Sequence, residues 1–163
     1  MTASADFEVL ARSTANPILG AADVPYPVNS VFNPGAARLG DETVLLLRVE
    51  DLRGISQLHL ARSRDGVSDW RFDPEPLLRA EPDHHPEEVW GCEDPRLTWI
   101  PEREEWAIVY TAYSRRGPLV SLAMTRDFRS VHRLGPVMPP EDKDAALFPR
   151  RFGGRWAMIH RPS

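Results

Sequence analysis

The 163-residue sequence has little of what several classes of protein need. It contains one cysteine, Cys92, so the chain cannot form an internal disulfide or build a thiolate zinc site by itself. No apolar run approaches the roughly 20 residues of a membrane-spanning helix, and the N-terminal MTASADFEVLARS lacks the basic and apolar regions of a signal peptide. These absences predict a cytoplasmic protein with no membrane partner, in which Cys92 is a packed thiol.

Excess positive charge is also missing. The formal net charge is -4, and basic residues are scattered among acidic ones, which disfavours a nucleic-acid partner. The sequence has no glycine-rich phosphate loop, dinucleotide-binding fingerprint, nucleophile elbow or HExxH motif, so the common kinase, dehydrogenase, serine hydrolase and zinc protease classes are excluded. One acidic loop has two histidines and two glutamates without the spacing of a defined metal site, and we predict no metal there. These residues are His84, His85, Glu87 and Glu88.

What the chain does contain is a series of short strand-like runs. Sixteen prolines and ten glycines leave no room for long helices, whereas TVLLLRV, SQLHLARS, EWAIVYTAYS, PLVSLAMT and RWAMIH are rich in strand-forming residues. LHLARSRDG at 58–66 matches VSLAMTRDF at 120–128, and nearly the same offset places NPGAARL over DPRLTWI. A third copy begins near DAALFPRRF. The repeat predicts an all-β fold of propeller type.

The repeat also divides the chain into parts of one domain. We predict an N-terminal lead-in over residues 1–27, a first blade over 28–80, a second over 81–138 and the start of a third over 139–163. Propellers typically have four to eight blades, so about two and a half blades form an incomplete ring. The apolar strands TVLLLRV and RWAMIH would then each have a face without a partner, and we expect the chain alone to be oligomeric, poorly soluble or loosely packed.

Polar residues recur at matching places in the copies. The first strands of successive blades line a propeller channel, so polar residues at the starts of these strands should meet near one axis. Such residues are costly to bury unless they contact one another, water or a ligand, which favours a binding site. Structural explanations remain open: a turn for Asn33, an ion pair for Arg48 and Asp51, an ordinary surface position for Lys143. The candidates are Asn33, Arg48, Asp51, Asp94, Lys143, His160 and Arg161.

The stretch GCEDPRL, residues 91–97, places two adjacent carboxylates before a proline. Proline disfavours helical geometry for the residue before it, which predicts an extended backbone at Asp94. Aspartate before proline is a common turn initiator, but a rigid carboxylate at the start of a strand also suits an acid catalyst.

Six motifs in order resemble glycoside hydrolase family 130, the β-mannoside phosphorylases and related mannosidases. They are FNPGA, RVED, GCEDPR, YTAYS with GPLVSLAMTRDF, DKDAALFP and HRP. The resemblance runs from about Val28 to the last residue, and it implies a five-bladed β-propeller whose central pocket binds a β-mannoside and phosphate. It also implies phosphorolysis with inversion to α-mannose 1-phosphate, with inorganic phosphate as co-substrate and no cofactor or metal.

The resemblance also assigns roles to individual residues. Asp94 matches the general acid, which in this family is thought to act through a sugar hydroxyl, and Glu93 is its neighbour. Asn33, Arg48 and Asp51 match the positions that hold mannose. Lys143 and Arg161 match phosphate ligands, with His160 as a weaker candidate. Because the nucleophile, inorganic phosphate, is already negatively charged, inversion would need one protein acid and a set of cationic phosphate ligands instead of the carboxylate pair of ordinary inverting hydrolases. A β-mannoside hydrolase and an inactive carbohydrate-binding propeller remain alternatives, and homo-oligomerisation remains open.

Overall fold

The computed structural model describes residues 11–162 and forms three antiparallel sheets in chain order. The first ten residues of the predicted lead-in lie outside the described residues. Two short 3₁₀-helices, Ala21–Asp23 and Pro86–Glu88, precede the first and second sheets. The strands are β1 (Ser30–Leu39), β2 (Glu42–Glu50), β3 (Ser56–Ser63), β4 (Arg71–Phe72), β5 (Cys92–Ile100), β6 (Glu105–Ser114), β7 (Gly117–Thr125), β8 (His132–Pro136), β9 (Asp142–Leu147) and β10 (Met158–Pro162).

Each of the first two sheets has four strands in sequential order, β1-β2-β3-β4 and β5-β6-β7-β8, while β9 and β10 pair alone. The all-β prediction is confirmed, and the strands of the three sheets run over residues 30–72, 92–136 and 142–162, while the predicted blade boundaries stay a prediction. The sequence repeat indicated only three strands per copy. It missed β4 because this strand has two residues, and β8 because HRLGP combines polar residues with glycine and proline.

The turns that follow β3 and β7 have the same construction. The hydroxyl of Ser63 donates to the carbonyl of Ser68 at 2.6 Å, and the hydroxyl of Thr125 donates to the carbonyl of Ser130 at 2.6 Å. Such side-chain bonds replace the backbone pairing that ends with the strand. The matching turns show that the sequence repeat corresponds to a structural repeat.

The main core lies between the first two sheets. It is formed by alternate residues of each strand, including fully buried Leu46, Leu58 and Leu60 on one side and Ile108 and Tyr110 on the other. This alternation is the expected result of side chains that project to opposite faces of a sheet. The packing of the two sheets fixes the first strands, β1 and β5, next to each other.

The outer face of the first sheet is covered by the segment that precedes it. Leu47 and Val49 are 3% and 2% exposed, and they pack in one cluster with Val24, Tyr26 and Val28. The prediction that TVLLLRV lacks a partner on one face is therefore wrong. The apolar residues of the lead-in were not recognised as a cover because they follow no strand periodicity.

At the other end of the array an apolar groove of about 430 Å³ lies between the second sheet and the β9–β10 pair. Its walls include Leu122, Met124, Leu147, Trp156 and Met158. Ile159 on β10 is 63% exposed, which agrees with the predicted open face of RWAMIH. Among residues 11–162, no helix is long and apolar enough to cross a membrane.

Candidate functional site

The site begins with irregularities in the two neighbouring first strands. The pairing of β1 with β2 shifts between Val31 and Pro34, and the pairing of β5 with β6 shifts between Glu93 and Arg96. Asp94 lies in the second of these bulges with φ of +49°. The predicted extended geometry at Asp94 is thus wrong, because the bulge requires a left-handed residue there. Such a conformation is strained for a residue with a side chain, although aspartate tolerates it better than most.

Arg48 connects the acidic pair to the first sheet. Its Nη2 lies 2.9 Å from Glu93 Oε1, and its Nη1 lies 3.4 Å from Asp94 Oδ1. Its guanidinium also lies 4.6 Å from the centre of the Phe32 ring. All three charged side chains are at most 20% exposed, so water screens these contacts only in part. Arg48 therefore clamps both carboxylates, a pairing the sequence did not suggest.

Asn33 bridges Asp94 and a second arginine. With its amide oriented so that each atom faces a complementary partner, Nδ2 donates to Asp94 Oδ1 at 3.0 Å and Oδ1 accepts from Arg96 Nη1 at 3.3 Å. The structure thus brings Asn33, Arg48 and Asp94 together at one point between the first two sheets. The repeat indicated the meeting of Asn33 with Asp94, whereas the contributions of Arg48 and Arg96 to this contact were missed.

Glu93 differs from its neighbour in electrostatics. Burial raises the pKa of the Glu93 carboxyl above its ordinary value, and the Asp94 and Glu50 carboxylates act in the same direction. The charges of Arg48 and Lys143 oppose this rise in pKa. Glu93 consequently holds a proton more readily than a carboxyl in water, which makes it a candidate functional residue, whereas the resemblance to the family treated it only as a neighbour of Asp94.

The clamp is itself held by a close contact between blades. The Ser56 hydroxyl accepts a hydrogen bond from Arg48 Nε at 2.9 Å, and Ser56 is fully buried. Gly91 forms a parallel bridge to Ser56, and a Cβ at Gly91, where φ is +122°, would lie only 2.7 Å from the Ser56 nitrogen. Only glycine fits this approach. Gly91 and Ser56 therefore join the starts of β5 and β3 directly beside the acidic pair.

The predicted phosphate ligands lie on the third sheet. Lys143 and Arg161 are paired in register on β9 and β10, and Lys143 is close enough to act on the pKa of Glu93. Arg161 forms an ion pair with Asp144, and His160 Nδ1 lies 2.6 Å from Asp142 Oδ2. Asp144 has φ of +52°, which repeats the backbone geometry of Asp94 one blade further on.

Asp51 has a structural task in the turn between β2 and β3. Its carboxylate accepts from the amide nitrogens of Arg53 at 2.8 Å and Ile55 at 3.1 Å, and it pairs with the Arg53 side chain at 2.7 Å. Although partial burial acts to raise it, these hydrogen bonds lower the pKa of Asp51. The structure does not bring Asp51 into contact with Arg48 or Asp94, and its predicted role in binding mannose stays a prediction.

A buried polar network lies behind the acidic strand. Glu88 is fully buried, and it accepts from the Tyr110 hydroxyl at 2.7 Å and from Arg133 Nε at 3.1 Å. Cys92 is also fully buried, as predicted for a packed thiol, and burial followed by the charge of Glu88 raises its pKa. Glu88 lies with His85 and Glu87 in the acidic loop, but its oxygens are already used as acceptors. This network supports the strand that carries Glu93 and Asp94.

The fold and site together define a class of protein: a partial set of β-propeller blades in which an arginine clamps an acidic pair at the start of β5. The sequence profile of glycoside hydrolase family 130, described as beta-1,4-mannooligosaccharide phosphorylase, matches residues 12–163. The chain belongs to glycoside hydrolase family 130. The resemblance drawn from the six motifs is therefore confirmed.

Two curated relatives illustrate the similarity. The chain is 31% identical over 162 residues to a beta-1,4-mannooligosaccharide phosphorylase of Ruminococcus albus, covering 96% of this chain and 47% of that protein. It is 31% identical over 112 residues to a beta-1,2-mannobiose phosphorylase of Listeria innocua, covering 69% of this chain and 30% of that protein. This chain thus spans less than half the length of either relative.

Solved structures show the same architecture. The beta-1,2-mannobiose phosphorylase of Listeria innocua, in complex with beta-1,2-mannobiose, aligns with a TM-score of 0.81 and 25% identity, covering 93% of this chain and 58% of that one. A second structure aligns with a TM-score of 0.79 and 21% identity, covering 91% of this chain and 52% of that one. It comes from work on family members that are glycoside hydrolases targeting beta-1,2 mannosidic linkages in Candida mannan. The propeller prediction is confirmed: the solved relatives of this family are five-bladed β-propellers, and this chain covers part of such a set of sheets.

Proposed function

We propose that this chain supplies part of the active site of a β-mannoside phosphorylase. The reaction transfers mannose from mannosyl-glucose or a β-mannooligosaccharide to inorganic phosphate, with inversion, and yields α-mannose 1-phosphate. The observation that carries the proposal is the meeting of Asn33, Arg48 and Asp94 in a chain of this family, with Lys143 close enough to influence Glu93. We further propose a cytoplasmic location and no cofactor besides the phosphate co-substrate.

The proposed roles follow from charge and position. Asp94 protonates the leaving oxygen through a sugar hydroxyl, while Asn33 and Arg48 orient the mannose and the acid. Lys143, Arg161 and His160 bind phosphate, since all three lie on the β9–β10 pair, where Asp144 and Asp142 hold Arg161 and His160 in place. Cationic side chains bind and orient a nucleophile such as phosphate, which already carries negative charge.

We also propose that further blades complete the ring, either from the same polypeptide or from another chain. The open groove beside β9 and β10 and the partial coverage of the relatives support this. Below, "the completed protein" means this chain together with the segment that closes its ring.

Phosphate dependence tests the proposal. The completed protein is incubated with β-1,4-mannobiose and with mannosyl-glucose, with and without inorganic phosphate. We expect cleavage only with phosphate. Equal release of free mannose in both conditions would overturn the phosphorylase proposal and support a β-mannoside hydrolase, the activity named for some family members. Binding of mannosides by calorimetry without any cleavage would instead indicate a carbohydrate-binding propeller.

A further inference from the structure

Two exposed aromatic rings form a pair just before the acidic strand. Trp90 is 43% exposed and Tyr113 is 38% exposed. Their ring centres are 5.5 Å apart and their planes are inclined by 86°, an edge-to-face arrangement. Large aromatic side chains usually bury most of their surface, so a pair of partly exposed rings has apolar surface to offer a ligand.

The backbone holds this aromatic pair in a fixed position. The Trp90 amide donates to the Tyr113 carbonyl at 2.9 Å, and the Tyr113 amide donates to the Gly91 carbonyl at 3.0 Å. Gly91 is in turn packed against Ser56, the residue that anchors Arg48. A rigid platform loses little conformational entropy when a ligand binds, which favours recognition.

The strand register places the aromatic pair beside the candidate site. Glu93 is paired with Thr111 on β6, and Tyr113 lies two residues further along that strand, roughly 7 Å away on the same sheet face. The turn that follows packs Gly117 against Glu141, two residues before Lys143. The aromatic pair therefore lies near both the acidic pair and the start of the strand that carries Lys143.

We propose that Trp90 and Tyr113 form a stacking platform for the second sugar of the substrate, the pyranose joined to the mannose that reacts. This inference rests on the proposed β-mannoside reaction. A pyranose presents C–H groups on its broad faces, and these groups pack on aromatic rings whose faces carry negative charge density. Arg48, Asn33 and the two carboxylates bind hydroxyl groups deeper in the site, whereas the uncharged platform receives an apolar face.

The test measures binding of two sugars to variants of the completed protein. Trp90→Ala and Tyr113→Ala should each weaken the binding of β-1,4-mannobiose about tenfold in calorimetry. Binding of mannose, which lacks the second sugar, should stay unchanged, and Trp90→Phe and Tyr113→Phe should retain most of the affinity for mannobiose. Trp99→Ala is the matched control, because Trp99 is 38% exposed and paired with Trp106 at the opposite end of β5. It should bind both sugars as the unsubstituted protein does.

The outcomes separate this inference from the proposed function. Unchanged mannobiose affinity in both alanine variants, or equal weakening for mannose and mannobiose, would overturn the platform. The proposed function fails on its own if the unsubstituted protein binds mannobiose but shows no phosphate-dependent cleavage. In that case the calorimetric comparison still decides whether Trp90 and Tyr113 contact the second sugar.

Discussion

Replacing Ser56 by alanine tests whether Arg48 must be held in place for the acidic pair to function. The Ser56 hydroxyl accepts from Arg48 Nε at 2.9 Å, and Ser56 is fully buried. A hydrogen bond to a charged group contributes about 1.5–3 kcal/mol, and the Arg48 side chain is only 18% exposed, so water replaces little of the loss. If that energy serves to orient Arg48, kcat/KM of the completed protein should fall about ten- to hundredfold.

Ser121→Ala is the matched control for this prediction. Ser121 is also fully buried, but within residues 11–162 its hydroxyl has no hydrogen-bond partner. Its replacement should leave kcat/KM unchanged and preserve or raise the melting temperature. Steady-state kinetics with mannobiose and thermal melts of both variants supply the comparison. Equal kcat/KM for the two variants would refute the view that Ser56 positions Arg48.

Three further predictions concern the acid, the buried network and the open groove. Asp94→Asn should slow cleavage of mannobiose about 10²- to 10⁴-fold but slow cleavage of activated aryl mannosides much less, and Glu93→Gln should reduce the rate less than Asp94→Asn does. Similar losses of rate on both substrates would show that Asp94 supports the fold or binding instead. The folded-state pKa values of Cys92 and Tyr110 are raised above 9.0 and 10.0, so both groups stay neutral while the unfolded chain ionises. Their contribution to the free energy of unfolding is therefore complete below pH 9.0 and declines above it, by up to about 1.4 kcal/mol per pH unit for each group. Urea unfolding of the completed protein should show a shallower decline of stability with pH for Cys92→Ala. The same decline with pH in the variant and the unsubstituted protein would argue against burial of the thiol. The chain alone should be oligomeric or loosely packed in light scattering and thermal melting, because the groove of about 430 Å³ exposes apolar walls, whereas a monodisperse monomer with a sharp reversible transition would contradict this.

The sequence repeat was sufficient to predict the sheets because each blade uses the same order of apolar strands and the same terminal turn. It could not predict β4, whose two residues carry no periodicity, or the cover that Val24 and Tyr26 provide for the first sheet. These features depend on tertiary contacts and not on local pattern.

The site was predictable to the extent that the blades repeat. Asn33 and Asp94 occupy matching bulges, so superposing the copies indicated their meeting. The clamp between Arg48 and Asp94 joins residues 46 positions apart, and no spacing rule relates them. The left-handed geometry of Asp94 was missed because the effect of Pro95 was considered without the bulge that overrides it. Gly91 and Ser56 could not be recognised as part of the site from the sequence, because only their close contact in the structure shows that they hold Arg48 in place.

The central claim, that Asp94 with Lys143, Arg161 and His160 of the β9–β10 pair catalyses transfer of mannose to phosphate, is tested most directly by the product. Proton and phosphorus NMR of the completed protein with β-1,4-mannobiose and inorganic phosphate would follow the anomeric proton and the phosphate together. We predict that α-mannose 1-phosphate forms in step with the loss of phosphate. Release of free mannose with no loss of inorganic phosphate would contradict the account.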